Sequence, residues 1–327
     1  MIIKLFLLAF TFTAALFAGP AEDYRENLSS DRDIVRRQAV YGIIHSSIPA
    51  GSAVSLLSKA YGDKDVFTKR LAISGLGKYA AQFSAEKSTS AFDGEGSTSV
   101  VKDYAKTPAE KAIEILRTAL GDETAIIRAD AVRALAGCKA EVVKDDIIRM
   151  LDDKNFIVLK EVMRAVSKLG ITEASETIIK FLEEKSEIIR LSAVQTSADM
   201  KLKDAYKTVI KIAKSDRSED IRLEALAAVV EIAPPSESLV VLTDFLDEDS
   251  IKLSLRAAFL LAKNSDFSGW KVVKKASKES DPDIRMEAAK ILLYYDDEKS
   301  RDLLKSMRND PDEEIRNFVK NNTEVEK

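Results

Sequence analysis

Apolar residues recur along this chain at the spacing of an amphipathic helix. Between Asp281 and Leu292, the apolar residues Ile284, Ala288, Ile291 and Leu292 all fall on one helical face. Similar stretches follow one another through most of the sequence. No alternating run of apolar and polar residues is long enough to predict a β-sheet. The hydrophobic pattern therefore predicts an all-α fold.

The stretch at Asp281 is one copy of a repeat. Each copy is centred on a position that is usually basic, as in Ile284-Arg285, with a small or apolar residue such as Ala288 three positions later. When the copies are aligned on this position, seven of the eight intervals are 31 to 33 residues, which is typical of a solenoid, and the eighth contains an insertion. The aligned positions are Arg36, Lys69, Arg128, Leu159, Arg190, Arg222, Ser254, Arg285 and Arg316.

Each repeat also contains a second predicted helix. The connections are short and contain Gly, Pro or capping residues, as at Gly170 and Pro234-Pro235, which places the two helices of a repeat side by side. The second helices are predicted at about residues 141–151, 172–182, 202–213, 235–246, 265–276 and 297–308.

Acidic residues recur six positions before the aligned residues, and we call these positions the acidic column. Six residues before the aligned positions, eight of nine residues are acidic, and seven of the nine aligned positions are basic. An acid there is expected to satisfy free N–H groups at a helix start, and the fixed offset permits an ion-pair ladder between stacked repeats. Surface pairs contribute only about 0–1 kcal/mol each, so we expect the ladder to set register, with breaks at Leu159 and Ser254. The acidic column is Ser30, Asp63, Asp122, Asp153, Glu184, Asp216, Glu248, Glu279 and Asp310.

The motif Asp-x-x-x-Ile/Val-Arg-x-x-Ala at the start of the first helices resembles the HEAT-repeat family, particularly its short HEAT-like or lyase-type repeats. The resemblance covers about residues 30–323. It implies a right-handed α-solenoid of about eight to nine two-helix repeats, with the second helices lining the concave side. It also implies a scaffold or adaptor for other proteins. The Trp-x-x-Leu-Gly-x-x-Tyr element of tetratricopeptide repeats and the Thr-Pro-Leu-His of ankyrin repeats are absent.

The N-terminus has the pattern of a secretory signal. Lys4 precedes fourteen uncharged residues from Leu5 to Ala18, and Gly19-Pro20 follows. We predict a signal peptide at residues 1–18, a HEAT-like solenoid at 19–327, and an exported protein that is periplasmic or extracellular. The alternative is an uncleaved membrane anchor, although the apolar run is shorter than the roughly 20 residues that span a bilayer.

Two further segments depart from the repeat. The insertion at residues 84–106 is rich in Ser, Thr and Gly and is expected to be a disordered surface loop. It is placed between the two helices of the second repeat, because Thr107-Pro108-Ala109-Glu110 has the pattern of a helix start with a capping box. The alternative is a partner-contacting loop that presents Phe92 and Tyr104. Residues 321–327 are expected to form a frayed tail.

Composition excludes several classes of function. A net charge of −4 lacks the basic field that non-specific nucleic-acid binding requires. The single cysteine, Cys138, excludes an internal disulfide and is interpreted as a small residue packed near a turn. His45 is the only histidine, so His-based catalysis and His-Glu metal motifs are unavailable, and it is expected to lie exposed at a helix end.

Gly75-Leu76-Gly77-Lys78 is interpreted as the end of a first helix, which the glycines stop. No cofactor or metal is predicted.

The candidate partner-binding residues lie on second helices. A stripe of four lysines occupies one predicted helical face, and a second group of lysines follows Trp270. Such patches could receive an acidic segment of a partner protein. The alternatives are a solvated lysine face and a core role for Trp270. Acids such as Glu183 and Asp244 interrupt any continuous basic groove. The candidates are Lys203, Lys207, Lys211, Lys214, Trp270, Lys271, Lys274, Lys278, Phe92 and Tyr104.

The sequence thus favours an exported, non-catalytic scaffold that binds another protein along its second helices. Two alternatives stay open. One is a membrane-tethered scaffold, which would contact the membrane only through a retained N-terminal segment. The other is a HEAT-like lyase or base-excision type of enzyme with a desolvated acid in a concave pocket.

Overall fold

The regular structure of this protein is helical. The computed structural model describes residues 21–83, 106–295 and 297–323, and in these ranges it contains eighteen α-helices and no β-strand. None of the described helices is long and apolar enough to cross a membrane. The all-α prediction is confirmed.

The chain forms two compact units that divide between Ala174 and Ser175. The first unit contains eight α-helices in its described part, with short 3₁₀ turns at Met150–Asp152, before the eighth helix, and at Thr172–Ala174, after it. Its helices are α1 (Ala21–Asn27), α2 (Asp33–His45), α3 (Ala50–Tyr61), α4 (Val66–Ala80), α5 (Pro108–Ala119), α6 (Ala125–Leu135), α7 (Ala140–Arg149) and α8 (Phe156–Leu169).

The second unit contains ten α-helices in its described part, with 3₁₀ turns at Lys203–Ala205, Phe245–Asp247 and Met307–Asn309. Its helices are α9 (Ser175–Phe181), α10 (Glu187–Asp199), α11 (Tyr206–Ser215), α12 (Glu219–Ile232), α13 (Pro235–Asp244), α14 (Ile251–Lys263), α15 (Trp270–Ala276), α16 (Pro282–Leu292), α17 (Glu298–Ser306) and α18 (Glu313–Thr323).

These helices alternate as the repeat predicts. From α2 onward the even-numbered helices are first helices and the odd-numbered ones are second helices, which makes eight pairs and a ninth first helix among the described residues. The predicted architecture, an α-solenoid of eight to nine two-helix repeats, is confirmed. In the second repeat, α5 starts with the expected capping box of Thr107 and Glu110. The predicted insertion therefore lies between α4 and α5, but residues 84–105 are outside the described part.

The small or apolar residue three positions after each aligned position lies in the core, between packed helices. All nine are 0% exposed, although the aligned side chains themselves vary from Arg to Leu and Ser. A small side chain lets neighbouring helices approach, and a larger one here would force them apart. The column is Ala39, Ala72, Ala131, Val162, Ala193, Ala225, Ala257, Ala288 and Val319.

Two glycines also serve close packing, which corrects one prediction. Gly75 and Gly77 lie inside α4, which continues to Ala80, so they do not stop the helix. A Cβ at Gly75 would lie 2.8 Å from Ile44 Cγ1, and one at Gly77 would lie 3.0 Å from the Cβ of Ala134. These positions are therefore occupied by glycine because adjacent helices leave no room for a side chain.

The second helix predicted at residues 265–276 begins later than expected. Ser265 has a φ of 61°, in the left-handed region, and turns the chain away from α14. Asp266 then accepts a hydrogen bond from the N–H of Ser268 at 2.9 Å, and α15 starts only at Trp270. At the C-terminus, α18 extends through Thr323, whose hydroxyl accepts a 2.7 Å hydrogen bond from Arg308. The helix thus includes three residues of the predicted tail.

Candidate functional site

The expected ladder exists, and it joins the aligned basic residue of one repeat to the acidic residue of the next. In unit 2, Arg190 donates from Nε and Nη2 to the two carboxylate oxygens of Asp216, at 2.7 and 2.9 Å. Arg285 binds Asp310 in the same way, at 2.9 and 2.8 Å. In the described residues the ladder comprises Arg36–Asp63, Lys69–Asp122, Arg128–Asp153, Arg190–Asp216, Arg222–Glu248 and Arg285–Asp310.

The third guanidinium nitrogen donates to backbone carbonyls of the arginine's own repeat, and these bonds together with the ion pair form the joint between repeats. Nη1 of Arg190 donates to the carbonyl oxygens of Glu184 and Lys185, both at 2.9 Å. Arg285 repeats the arrangement with Glu279 at 2.8 Å. One arginine therefore holds the turn before its own helix and the acid of the following repeat, which a lysine ammonium lacks the planar fork to do.

The acids do not act as helix caps, which corrects the predicted role. Asp216 lies two residues before the N-cap Ser218 of α12 and accepts its N–H at 2.9 Å. Asp310 accepts the N–H of Asp312 in the same way. The acid thus fixes the turn that leads into the helix, while its other lone pairs face the arginine.

Three of the six ladder pairs are also buried, Arg36–Asp63, Arg190–Asp216 and Arg285–Asp310, whereas we expected surface pairs. The side chains of Arg190 and Asp216 are 9% and 5% exposed, and those of Arg285 and Asp310 are 10% and 5% exposed. Breaking such a pair leaves an uncompensated buried charge, so its loss costs more than that of a surface pair. The ladder therefore contributes to stability as well as register.

The pKa values of the ladder carboxyls Asp216 and Asp310 agree with this geometry. The hydrogen bond from Arg285 lowers the pKa of the Asp310 carboxyl. Burial alone would raise the pKa of Asp216, but hydrogen bonds from Arg190 and from the N–H of Ser218 outweigh it, and the pKa is lowered. Both carboxyls are therefore held in their charged form.

The predicted breaks are found at the expected positions. Ser254 is buried, and its hydroxyl donates to the carbonyl of Ile251 at 3.2 Å, so it makes no charged contact with Glu279. Leu159 has no charge to offer and is partly buried on α8.

The lysine stripe is brought together on one exposed face of α11 and the turn before it. Lys203, Lys207, Lys211 and Lys214 are all exposed, while Val209 of the same helix is fully buried. Nζ of Lys211 lies 3.8 Å from Glu183, and Nζ of Lys214 lies 3.8 Å from Asp244. Lys203 and Lys207 form no ion pair with any described residue. We call these four residues the lysine face.

The second lysine group lies on α15 and the turn after it. Lys271, Lys274 and Lys278 are exposed. Trp270 is half-buried against the hydrophobic core of the last repeats, with its ring centroid 6.0 Å from that of Tyr295. The structure thus gives Trp270 a core contact. Between the two lysine groups in the chain, α13 carries exposed Glu237, Val240 and Asp244.

The remaining candidates are not brought to these surfaces. Phe92 and Tyr104 lie outside the described residues. His45 is exposed at the end of α2 with its ring 4.3 Å from that of Tyr41, as predicted for a helix end. Cys138 is buried after α6, which confirms the packing interpretation, and burial raises the pKa of its thiol.

Sequence reasoning missed a cleft on the first helices of unit 1. The cleft has a volume of about 630 Å³ and lies among α2, α4 and α6. Its charged wall is formed by Arg37, Arg70, Asp130 and Arg133, and Phe67 stands beside it with 58% of its surface exposed. The available signal was the pair of basic doublets Arg36-Arg37 and Lys69-Arg70, in which the first residue belongs to the ladder and the second does not.

Asp130 organises this cleft. Asp130 is 8% exposed, and its carboxylate accepts hydrogen bonds from Arg70 Nε and from Arg133 Nη1, both at 2.6 Å. Arg133 also binds Glu161 at 2.8 Å. Arg37 binds Asp65 through Nε at 2.8 Å, and its guanidinium lies 4.9 Å from the centre of the Phe67 ring. No described group of three or more His, Cys, Asp and Glu residues is placed to hold a metal ion.

Stacked helix pairs joined by a buried guanidinium–carboxylate ladder define a helical-repeat protein. The family model of HEAT repeats matches residues 113–196 and 239–319, which together make up half of the chain. The protein belongs to the HEAT-repeat family, and the resemblance inferred from its motif is confirmed. A search of curated proteins found no match to this sequence.

Solved structures share the fold. A chain in a homology model of the full-length AP-3 complex is 16% identical, with a TM-score of 0.58 over 88% of this protein and 53% of the AP-3 chain. This protein therefore spans about half the length of that chain. The X-ray structure of the E. coli protein YibA is 18% identical, with a TM-score of 0.53 over 86% of this protein and 96% of YibA. At these identities the similarity concerns the fold alone.

Proposed function

We propose that this protein is an exported, non-catalytic adaptor that binds an acidic segment of another protein on the lysine face of unit 2. The observation that carries the proposal is the lysine face itself, four exposed lysines on one side of α11 and the turn before it. The similarity to a chain of the AP-3 complex, an assembly of several proteins by its name, supports a scaffold role.

The contacts of the lysine face favour binding over structural support. The pairs of Lys211 with Glu183 and Lys214 with Asp244 are long, at 3.8 Å, and their side chains are at least half exposed. Such pairs contribute about 0–1 kcal/mol, so an incoming carboxylate can replace them at little cost. Lys203 and Lys207 have no acid to give up among the described residues. Long-range attraction by four lysines would also accelerate encounter with an acidic segment.

The binding test uses a fluorescent oligo-glutamate peptide and the double variant Lys203→Glu, Lys207→Glu. We expect binding by fluorescence anisotropy to weaken at least tenfold in the variant, and to weaken steeply in the wild type as salt rises from about 0.05 to about 0.5 M. The matched control is Lys263→Glu, Lys320→Glu, which makes the same charge change at exposed lysines of first helices in the same unit. An equal loss in the control, or no binding by the wild type, would rule out the lysine face.

The export proposal rests on residues 1–18 of the sequence. The first described helix, α1, starts at Ala21, and Tyr24 is buried against Gly42, so removal of the predicted signal takes away no described residue. We expect the mature protein from its native host to lack residues 1–18 by intact-mass measurement, and to be recovered outside the cytoplasm. A mass that includes these residues, with the protein in the membrane fraction, would instead support a tethered scaffold.

A further inference from the structure

The cleft of unit 1 has unused hydrogen-bonding capacity of one kind. Arg70 donates to Asp130 through Nε alone, and its two terminal nitrogens have no acceptor among the described residues. Nη1 of Arg37 and the hydroxyl of the exposed Ser74 likewise have no described partner. The carboxylate of Asp130 has both oxygens engaged, by Arg70 and Arg133. All of these free groups can therefore donate a hydrogen bond, and most of them belong to arginine.

The rest of the cleft is apolar. Leu71, Ile73, Gly77, Ala134 and Gly137 line it, and α4 and α6 approach so closely there that a Cβ added to Gly77 would lie 3.0 Å from that of Ala134. The exposed ring of Phe67 extends this apolar surface beside Arg37. A volume of about 630 Å³ lies within the range of about 300–1,000 Å³ that is usual for ligand sites.

We propose that this cleft binds a short extended segment of another protein, in which a carboxylate side chain is adjacent to an apolar one. The carboxylate binds the outer edge of the Arg70 guanidinium, with Ser74 and Arg37 as further donors, because an arginine fork accepts a carboxylate in two parallel hydrogen bonds. The apolar side chain occupies the floor between α4 and α6, against Gly77 and Ala134.

The ion pair between Arg70 and Asp130 fixes the arginine side chain before a partner binds. A guanidinium held through Nε at 2.6 Å by a nearly buried carboxylate has little freedom left, so binding costs less side-chain entropy than it would with a free arginine. The ladder does not require this arginine, because Lys69, its neighbour in the chain, makes the ladder contact with Asp122 at 3.2 Å. Arg70 can thus bind a partner while the Lys69–Asp122 contact between repeats stays intact.

The test starts from a displayed library of random short peptides, selected on the full-length protein and then synthesised with a fluorophore. We expect the selected peptides to share an acidic residue next to an apolar one. By fluorescence anisotropy, Arg70→Ala should weaken their binding about tenfold or more, since a hydrogen-bonded charge pair is lost. Ser74→Trp, at an exposed position of the cleft, should abolish binding by filling the space.

The matched control is Arg164→Ala, an exposed arginine of α8 in the same unit that does not line the cleft, and its affinity should equal that of the wild type. The lysine-face variant should also bind these peptides normally, which separates this site from the proposed adaptor surface. Circular dichroism of each variant checks that it folds.

Three results would overturn the proposal. They are a failure to select peptides, selection of peptides without an acid, and binding that is insensitive to both cleft variants. Light scattering across a concentration series adds a fourth, because a dimer lost in Ser74→Trp would identify a second copy of this chain as the occupant.

Discussion

The ladder and the lysine face both join opposite charges from different repeats, yet they differ in almost every physical respect. Arg190 and Asp216 are less than 10% exposed and share two hydrogen bonds of 2.7 and 2.9 Å. Lys211 and Glu183 are 74% and 70% exposed and approach only to 3.8 Å. The first pair is also held by backbone carbonyls and a turn N–H, whereas the side chains of the second pair form no further hydrogen bond with a described residue.

The difference shows that some charged side chains are fully engaged by the fold, whereas others can still bind a partner. A carboxylate that is buried, hydrogen-bonded by the backbone and facing a planar arginine has no capacity left for another molecule. An exposed ammonium on a flexible side chain keeps its hydration and can exchange partners. In this protein, charged residues that recur at the same position of each repeat therefore have a structural role. Charged residues outside those positions, such as the lysines of the lysine face, are available for binding.

Acid should produce the largest effect, because it acts at once on four ladder carboxyls whose pKa is lowered, those of Asp122, Asp153, Asp216 and Asp310. The pKa values of Asp216 and Asp310 are lowered in the folded state, below the value of about 3.9 for an unfolded aspartate. Their stabilisation is therefore complete above the unfolded pKa and is lost as the pH falls through the range beneath it. We expect the urea unfolding midpoint to be clearly lower at about pH 3 than at about pH 7. An unchanged midpoint would contradict a stabilising ladder.

Truncation of one buried partner should have the next largest effect. Asp216→Ala leaves the guanidinium of Arg190 buried without its acid and removes the acceptor for the N–H of Ser218. We expect a loss of about 3–5 kcal/mol in the free energy of unfolding, measured by urea titration with circular dichroism. The pH dependence of this variant should also be weaker than that of the wild type. A loss below about 1 kcal/mol would place the ladder in the same class as the surface pairs.

An intermediate effect is expected at the half-buried pair. Arg222 and Glu248 are 20% and 29% exposed and share one hydrogen bond, at 3.0 Å. Glu248→Ala should therefore lower the free energy of unfolding by about 1–2 kcal/mol in the same titration. If this variant matched Asp216→Ala, burial would not be the property that sets the cost.

The smallest effect is expected on the lysine face. Lys211→Ala removes an exposed pair and should change the free energy of unfolding by less than about 0.5 kcal/mol. Circular dichroism at high and low salt provides the check, since a surface pair is screened and a buried one is not. A cost comparable to that of Glu248→Ala would assign the lysine face a structural role.

The parts of this structure that follow from local chemistry were predictable from the sequence. Periodicity located the repeats, and the capping box of Thr107 and Glu110 located the helix after the insertion. The burial of the ladder was not predictable, because it depends on how far neighbouring helices enclose a side chain. Gly75 was misread for the same reason, since its packing partner Ile44 is distant in the chain. The cleft escaped notice because Arg70 and Asp130 meet only through the stacking of α4 on α6.

The joint between repeats has a consequence for how this protein can change in length. Each arginine of the ladder pairs with the acid of the next repeat, and for Arg190 the backbone carbonyls that complete its contacts belong to its own repeat. Excision of residues 216–247 would bring Glu248 to the position of Asp216, opposite Arg190. The fixed register of the ladder would therefore let the chain lose this repeat and still place an acid opposite Arg190.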